Sequence, residues 1–204
     1  MATSKKQSGA GSGKELATKP KLLGSVSSLN ATLQMFIADS AVARAYGGID
    51  NGHGDEFEGS DWSKLLKSLE GDTDCVPLRA GDGEGLALDL RVGQGEVRVY
   101  QRDGELILVE SYEDEDEELD RIAPSKRKER AKPAGKPQIQ SGMLIVATST
   151  ENCAEAPKKV APGKAKEFGG DDGSLAIGLE PGSYTLLLEK PNDEERCAFL
   201  VRDR

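Results

Sequence analysis

The chain has 204 residues, 36% of them hydrophobic and 31% charged, with a formal net charge of −9. This length allows one large domain or two small ones, and the acidic balance argues against a broad nucleic-acid-binding surface, which needs a basic stripe. No stretch approaches the roughly 20 apolar residues of a membrane helix, and three widely spaced cysteines favour free thiols over a disulfide framework. We therefore expect a soluble cytoplasmic protein with no nucleic-acid partner and no membrane association.

Residues 1–28 are predicted to form a disordered polar tail. The segment is rich in glycine, serine and lysine, a composition typical of flexible linkers. It lacks the apolar run of a secretory signal.

A first β-rich half is predicted over residues 29–112. It opens with a short buried strand over residues 34–38, after which Asp39 or Ser40 can cap a short helix. A second helix over residues 61–70 carries one apolar stripe, because its large apolar residues follow i, i+3, i+4 and i+7 spacing. These residues are Trp62, Leu65, Leu66 and Leu69.

The rest of the first half indicates a β-meander. Three apolar runs lie between residues 81 and 112, and Asp103-Gly104 is a typical two-residue hairpin turn between the last two. We expect all three runs to be neighbouring strands of one sheet.

Residues 113–140 are predicted to form a charged flexible linker, because a run of carboxylates is followed by a run of lysine and arginine. A second β-rich half follows over residues 141–204. It begins with an apolar strand at residues 143–148 and ends with a second meander, in which three apolar runs between residues 170 and 201 are separated by turn residues.

The two halves are similar in sequence. A shift of 89 residues aligns Leu86-Ala87 with Leu175-Ala176, and a looser match with a shift of 108 aligns residues 33–38 with 141–146. A small sheet with one apolar face must bury that face against another layer. We therefore predict an α+β, mainly β fold, with two similar halves packed as a sandwich or a partly open barrel in one domain, and one or two short helices.

Catalytic and metal-binding patterns are weak in this chain. His53 is the only histidine, so a zinc site or a nucleophile with a histidine base has few residues to draw on. The carboxylates near His53 do not follow the EF-hand spacing, and no P-loop is present. We expect no cofactor, no metal and no catalytic residue, although the paired carboxylates of a hydrolase leave no spacing signature in a sequence.

Trp62 and the acidic stretch before it are the best candidates for a partner-binding surface. Tryptophan and tyrosine are enriched in binding hot spots, and carboxylates can steer a basic partner toward them. The candidate partner-binding residues are Trp62, Asp50, Asp55, Glu56, Glu58 and Tyr184.

Two motifs resemble those of bacterial polymorphic-toxin immunity proteins. The segment Pro181-Gly182-Ser183-Tyr184-Thr185 is similar to the proline-glycine-x-tyrosine turn near the end of some of these small β-rich proteins. Asp61-Trp62 is similar to their acidic-aromatic helix start, and Tyr46 stands where that type of protein often has a tryptophan before a glycine. The resemblance implies a non-enzymatic inhibitor that binds a cognate toxin, whose basic site an acidic surface would cover.

We thus expect a non-enzymatic protein-binding function, with toxin neutralisation by occlusion as its most specific form. An assembly or scaffold protein that recruits partners through its charged flexible segments is the alternative. A carboxylate-based hydrolase is a third hypothesis.

Overall fold

The computed structural model describes residues 19–27, 33–54, 57–69, 74–92, 96–111, 126–169, 173–189 and 197–204. In these ranges two antiparallel sheets form most of the molecule, with three short helices at their surfaces. The prediction of an α+β, mainly β sandwich with two similar halves is confirmed.

In the described part of the first half there are six strands and two helices. They are β1 Lys21–Ser27, β2 Leu33–Asp39, α1 Ser40–Ala45, α2 Asp61–Leu69, β3 Cys75–Ala80, β4 Gly83–Val92, β5 Glu96–Arg102 and β6 Glu105–Ser111. The second half contains α3 Lys126–Arg130, β7 Lys132–Gly135, β8 Gln138–Ile139, β9 Met143–Thr148, a 3₁₀ turn Cys153–Glu155, β10 Ala165–Phe168, β11 Ser174–Gly178, β12 Gly182–Glu189 and β13 Cys197–Arg202. The two predicted helices of the first half are confirmed.

Each sheet is built from both halves. The front sheet has the order β1-β5-β6-β13-β12-β7, with β8 beside β12, and the back sheet has the order β10-β11-β9-β2-β4-β3. The halves therefore lie side by side and share both layers. They do not form one sheet each.

The predicted meanders are divided between the two sheets, so the expectation of three neighbouring strands is wrong. β4 and β11 belong to the back sheet, whereas β5–β6 and β12–β13 are hairpins of the front sheet. Leu175, Ala176 and Ile177 are all fully buried on β11. A strand that is apolar on both faces gives no alternation that would indicate which sheet it joins. The Asp103-Gly104 hairpin turn is confirmed, with φ of 50° and 83°.

The two halves occupy equivalent places in both sheets. In the back sheet β3-β4-β2 of the first half meets β9-β11-β10 of the second, and in the front sheet β5-β6 meets β13-β12. At the centre of each sheet two antiparallel strands meet, with Ile37 opposite Val146 and Leu108 opposite Ala198. Exchanging the halves restores the same strand order, as a twofold rotation would.

The strand registers correct the looser sequence match by one residue. Ile37 pairs with Leu86 on β4, and Val146 pairs with Leu175 on β11. Leu86 and Leu175 are the equivalent positions in the 89-residue alignment, so their strand partners Ile37 and Val146 are equivalent as well. Ile37 and Val146 are 109 residues apart, whereas the sequence match of residues 33–38 used a shift of 108. A one-residue slip would turn each side chain to the other face, and both Ile37 and Val146 lie in the core between the sheets.

Both halves also begin earlier than the sequence predicts, the first with β1 and the second with β7 and β8. β1 lies beside β5 at one edge of the front sheet, and β7 lies beside β12 at the other. A Cβ on Gly24 of β1 would lie 2.8 Å from Leu175 Cδ1, and a Cβ on Gly135 of β7 would lie 2.6 Å from Leu86 Cδ1. Since Leu86 and Leu175 are equivalent, β1 and β7 make the same contact, each with the opposite half.

The tail predicted over residues 1–28 is therefore wrong where β1 lies. Val26 on this strand is fully buried, and its polar neighbours conceal the short apolar face in the sequence. The stretch before residue 19 lies outside the described residues.

The linker predicted over residues 113–140 contains α3, β7 and β8, so that prediction is wrong for its second part. Lys128 forms an ion pair with Glu105, and Arg130 Nη2 lies 2.7 Å from Glu189 Oε1. The basic run is thus attached to carboxylates of the front sheet, a pairing that a block of like charge does not reveal by itself. The remainder of this segment lies outside the described residues.

Candidate functional site

Helix α1 leads into the candidate site, and both of its ends are hydrogen-bonded to the second half. Its N-cap, Asp39, accepts a hydrogen bond from Ala41 N at 2.9 Å through Oδ1 and from Ser141 N at 2.7 Å through Oδ2. At the other end of the helix, Arg44 Nη2 donates to Pro157 O at 2.7 Å. Both ends of α1 are therefore held by residues of the opposite half.

Tyr46 continues this attachment at the end of α1. Its hydroxyl donates to Ser149 O at 2.6 Å, and its ring contacts Phe36 edge-on at 5.1 Å. Burial raises the pKa of Tyr46, with further contributions from the charges of Asp61 and Cys153. The hydroxyl thus remains a hydrogen-bond donor at any physiological pH.

The residues that follow, 47–61, form what we call the acidic loop. Gly48 adopts φ +56°, and a Cβ there would lie 2.2 Å from Thr150 O. Ile49 N donates to the same carbonyl at 3.2 Å. Only glycine allows the backbone to approach so closely, so the loop lies directly on the turn after β9.

A hydrogen-bonded pair gives the middle of the acidic loop its shape. His53 N donates to Glu58 O at 3.0 Å, and Glu58 N donates to His53 O at 2.8 Å. Phe57, within this narrow turn, has φ +51° and is 39% exposed. Among the side chains that the structure describes, no other large apolar one is as exposed.

Asp61 closes the loop at the start of α2. Its Oδ2 accepts from Gly47 N at 3.0 Å, and its own N donates to Asn51 Oδ1 at 2.9 Å. Burial works against ionisation of Asp61, but the hydrogen bonds from Gly47 and Asn51 and the nearby Lys64 outweigh it and lower its pKa. The ionised carboxylate therefore ties the two ends of the loop together.

Trp62 lies under Phe57 as the first turn of α2 begins. The two ring centroids are 6.0 Å apart at an interplanar angle of 81°, an edge-to-face contact. Trp62 N donates to Gly48 O at 3.0 Å, and Leu65, on the same face of the helix, is buried against the back sheet. The loop, the helix and the sheet thus hold the aromatic pair in place.

The charge of this surface is of one sign. Between Gly47 and Asp61 the sequence has five carboxylates and no lysine or arginine. Asp50 is exposed and accepts from Asn152 Nδ2 at 3.0 Å, and the Glu58 side chain is 72% exposed. The predicted site residues Asp50 and Glu58 thus lie on the acidic loop and Trp62 lies at the start of the helix that follows it, whereas Asp55 and Glu56 lie outside the described residues.

Tyr184 does not belong to this surface. It is 2% exposed, and its hydroxyl donates to Glu180 O at 2.6 Å. It lines a groove of about 590 Å³ at the end of the sandwich where β9 begins, whereas the acidic loop lies where β9 ends. We expected a partner-binding residue and find a core side chain.

Phe57 is the residue of the site that sequence reasoning missed. It is the apolar member of Asp55-Glu56-Phe57-Glu58. A large apolar residue within an acidic, glycine-rich stretch has no strand or helix in which to be buried, and that context is the signal that could have identified it.

Histidine and cysteine, the residue types that most often act as base and nucleophile, have the following surroundings in the described residues. The His53 side chain is 78% exposed, 4.0 Å from Glu58, and the described ranges contain no group of three or more histidine, cysteine, aspartate or glutamate residues suited to a metal. Cys75 and Cys153 are free thiols, and burial raises the pKa of each to about 12, with smaller contributions from nearby acidic residues. Thiols that stay protonated are poor nucleophiles. No helix within these ranges is long and apolar enough to cross a bilayer.

No family model, curated protein or solved structure matches this chain.

Proposed function

We propose that this is a non-enzymatic binding protein whose acidic loop docks on a basic surface of a protein partner. In its most specific form the partner is a toxin, and the protein is a cytoplasmic immunity protein that covers the toxin's basic site. The observation that carries the proposal is the exposed Phe57 ring, which contacts Trp62 and lies in a stretch of sequence whose charged residues are all acidic.

An exposed aromatic residue on a braced loop has the properties of a binding anchor. Hot spots combine a buried aromatic contact with surrounding polar groups that exclude water. The loop is tied to the second half through Thr150 and Asn152 and closed by Asp61. A loop whose ends are fixed loses less conformational entropy when it binds, so more of the contact energy appears as affinity.

The carboxylates of the acidic loop favour a partner surface of positive charge. Five acidic side chains on one short loop create a negative potential that accelerates encounter with a basic surface, and this effect weakens as salt screens it. A basic nuclease-type toxin surface satisfies this requirement.

The scaffold alternative has less support. It requires the charged segments to be free for partners, but Lys128 and Arg130 of α3 are paired with Glu105 and Glu189 of the front sheet. The folded acidic loop is therefore the better candidate for recruiting a partner.

Site-specific photo-crosslinking tests the proposal. A photoreactive phenylalanine analogue is placed at position 57 of the full chain, and a second chain carries it at Lys158, an exposed position of the opposite half. We expect position 57 to crosslink to a basic protein in extracts of the source cells, and Lys158 to give no such product.

The captured protein is then purified and its association rate measured against salt. Replacing Asp50, Asp55, Glu56 and Glu58 with amides should slow association at low salt by about tenfold or more, and the difference should shrink at high salt. An association rate that the four amides leave unchanged, or equal crosslinking from both positions, contradicts docking through this loop.

A further inference from the structure

Phe57 has a backbone conformation that is unfavourable for its residue type. With φ +51° it lies in the left-handed region, where the Cβ of an L-residue approaches the following carbonyl oxygen. Its ring is 39% exposed, so burial compensates only part of this cost. Such a conformation persists only when neighbouring contacts hold it.

Below Phe57, Trp62 has a polar hydrogen without an acceptor. Its Nε1 is buried and has no hydrogen-bond partner among the described residues. A buried N–H that lacks an acceptor is unfavourable relative to one that reaches water. The Phe57 ring makes an edge-to-face contact with this indole, and the two ring centroids are 6.0 Å apart.

Both unfavourable features are relieved by the same movement. If Phe57 turns away, its backbone can leave the left-handed region and the indole N–H becomes accessible to solvent or to an acceptor. The covered state is held by the edge-to-face contact, a weak interaction, and by the backbone hydrogen bonds between His53 and Glu58. Opening therefore needs a local change in the loop and not unfolding of the sheets.

We propose that Phe57 is a displaceable cover of the Trp62 indole, and that the uncovered form is the one that engages the partner. The Phe57 ring then enters an apolar recess of the partner, and the Trp62 N–H donates to a carbonyl or carboxylate oxygen there. This inference rests on the proposed function, because it assigns what the acidic loop does when a partner arrives.

Hydrogen exchange of the indole tests the cover in the full chain without a partner. Trp62 is the only tryptophan, so the ¹⁵N-labelled protein gives one indole N–H signal. We expect this hydrogen to exchange at least about a hundredfold faster than the amide of Ile37 in the central strand pair, because it opens locally. In Phe57→Gly, which suits the same φ but has no ring, exchange should become about tenfold faster than in the wild type.

A Phe57→Tyr variant is the matched control, because it keeps the ring and should exchange like the wild type. An indole hydrogen that exchanges as slowly as the Ile37 amide overturns the proposal, and so does a Phe57→Gly chain that exchanges no faster than the wild type. The proposed function fails by a different observation, the lack of a crosslink at position 57, which would reject docking and leave the exchange rates as measured.

Discussion

The two halves of the molecule share a strand order but differ in the chain that connects β2 to β3 and β9 to β10. In the first half this connection comprises residues 40–74, with eight acidic and three basic residues, a net charge of −5. In the second half it comprises residues 149–164, with two acidic and three basic residues, a net charge of +1. The same scaffold thus carries a long acidic connection on one side and a short, slightly basic one on the other.

This difference indicates a division of roles between the halves. The short connection supplies backbone acceptors, since Ser149 O and Pro157 O bind Tyr46 and Arg44 of the long one. The long connection uses this support to present Phe57 at the surface.

The largest expected effect comes from the centre of the shared sheets. Ile37→Ala in the back sheet and Leu108→Ala in the front sheet remove fully buried side chains at the junction of the halves. Each should lower the free energy of unfolding by about 2–5 kcal/mol. Because each sheet contains both halves, urea unfolding followed by Trp62 fluorescence and by far-UV circular dichroism should give one coincident transition. Two separate transitions would show that the halves fold independently.

The attachment of the long connection to the short one is the next target. Gly48→Ala forces a left-handed alanine and places its Cβ 2.2 Å from Thr150 O, so we expect a loss of about 3 kcal/mol. Gly54→Ala is the matched control, since Gly54 has φ +72° with nothing within 4 Å of its Cβ, and should lose only about 1 kcal/mol. Thermal or urea unfolding of both variants measures the difference, and equal losses would mean that the Thr150 contact does not constrain the loop.

A smaller effect tests whether the halves are equivalent. Gly24→Ala and Gly135→Ala each push a Cβ against a leucine of the opposite half, and each of these contacts should cost about 1 kcal/mol. Gly24→Ala should lose about 1 kcal/mol more, because Gly24 has φ +157°, a conformation that L-residues rarely adopt. Leu175→Val should partly rescue the first variant and Leu86→Val the second, whereas the crossed combinations should be additive. Urea titrations of the double-mutant cycles measure these coupling energies. Coupling at only one of the two sites would break the proposed equivalence of β1 and β7.

Sequence reasoning recovered the elements of this fold better than their arrangement. The apolar stripe of α2 and the Asp103-Gly104 turn are local signals, and both were predicted. Which sheet β11 joins depends on contacts between distant strands, and a strand buried on both faces carries no local sign of them.

The candidate site was likewise predicted where local signals mark it and missed where the fold decides. The acidic loop and Trp62 could be found from composition and residue type. Tyr184 was assigned to the surface because tyrosine is common in interfaces, but its position on β12 buries it. Phe57 was missed although its acidic, glycine-rich context indicates exposure; only its left-handed backbone conformation required the fold to be seen.

The smallest expected effect concerns the charge that closes the acidic loop. The folded protein lowers the pKa of Asp61, so the folded state binds fewer protons than the unfolded state as the carboxyl titrates. The stabilisation from Asp61 is therefore complete above its unfolded pKa, near 4, and is lost as the pH falls through the lower folded value.

Asp61→Asn keeps the side-chain shape without the charge. The stability difference between wild type and Asp61→Asn, measured by urea unfolding, should be larger at about pH 6 than at about pH 2.5. The control is Ser60 at the same helix start, whose Oγ accepts from Ser63 N at 2.9 Å. Both groups are uncharged, so Ser60→Ala should give a loss that does not change over the same pH range. A difference for Asp61→Asn that is equally independent of pH would mean that the loop is closed by shape and not by charge.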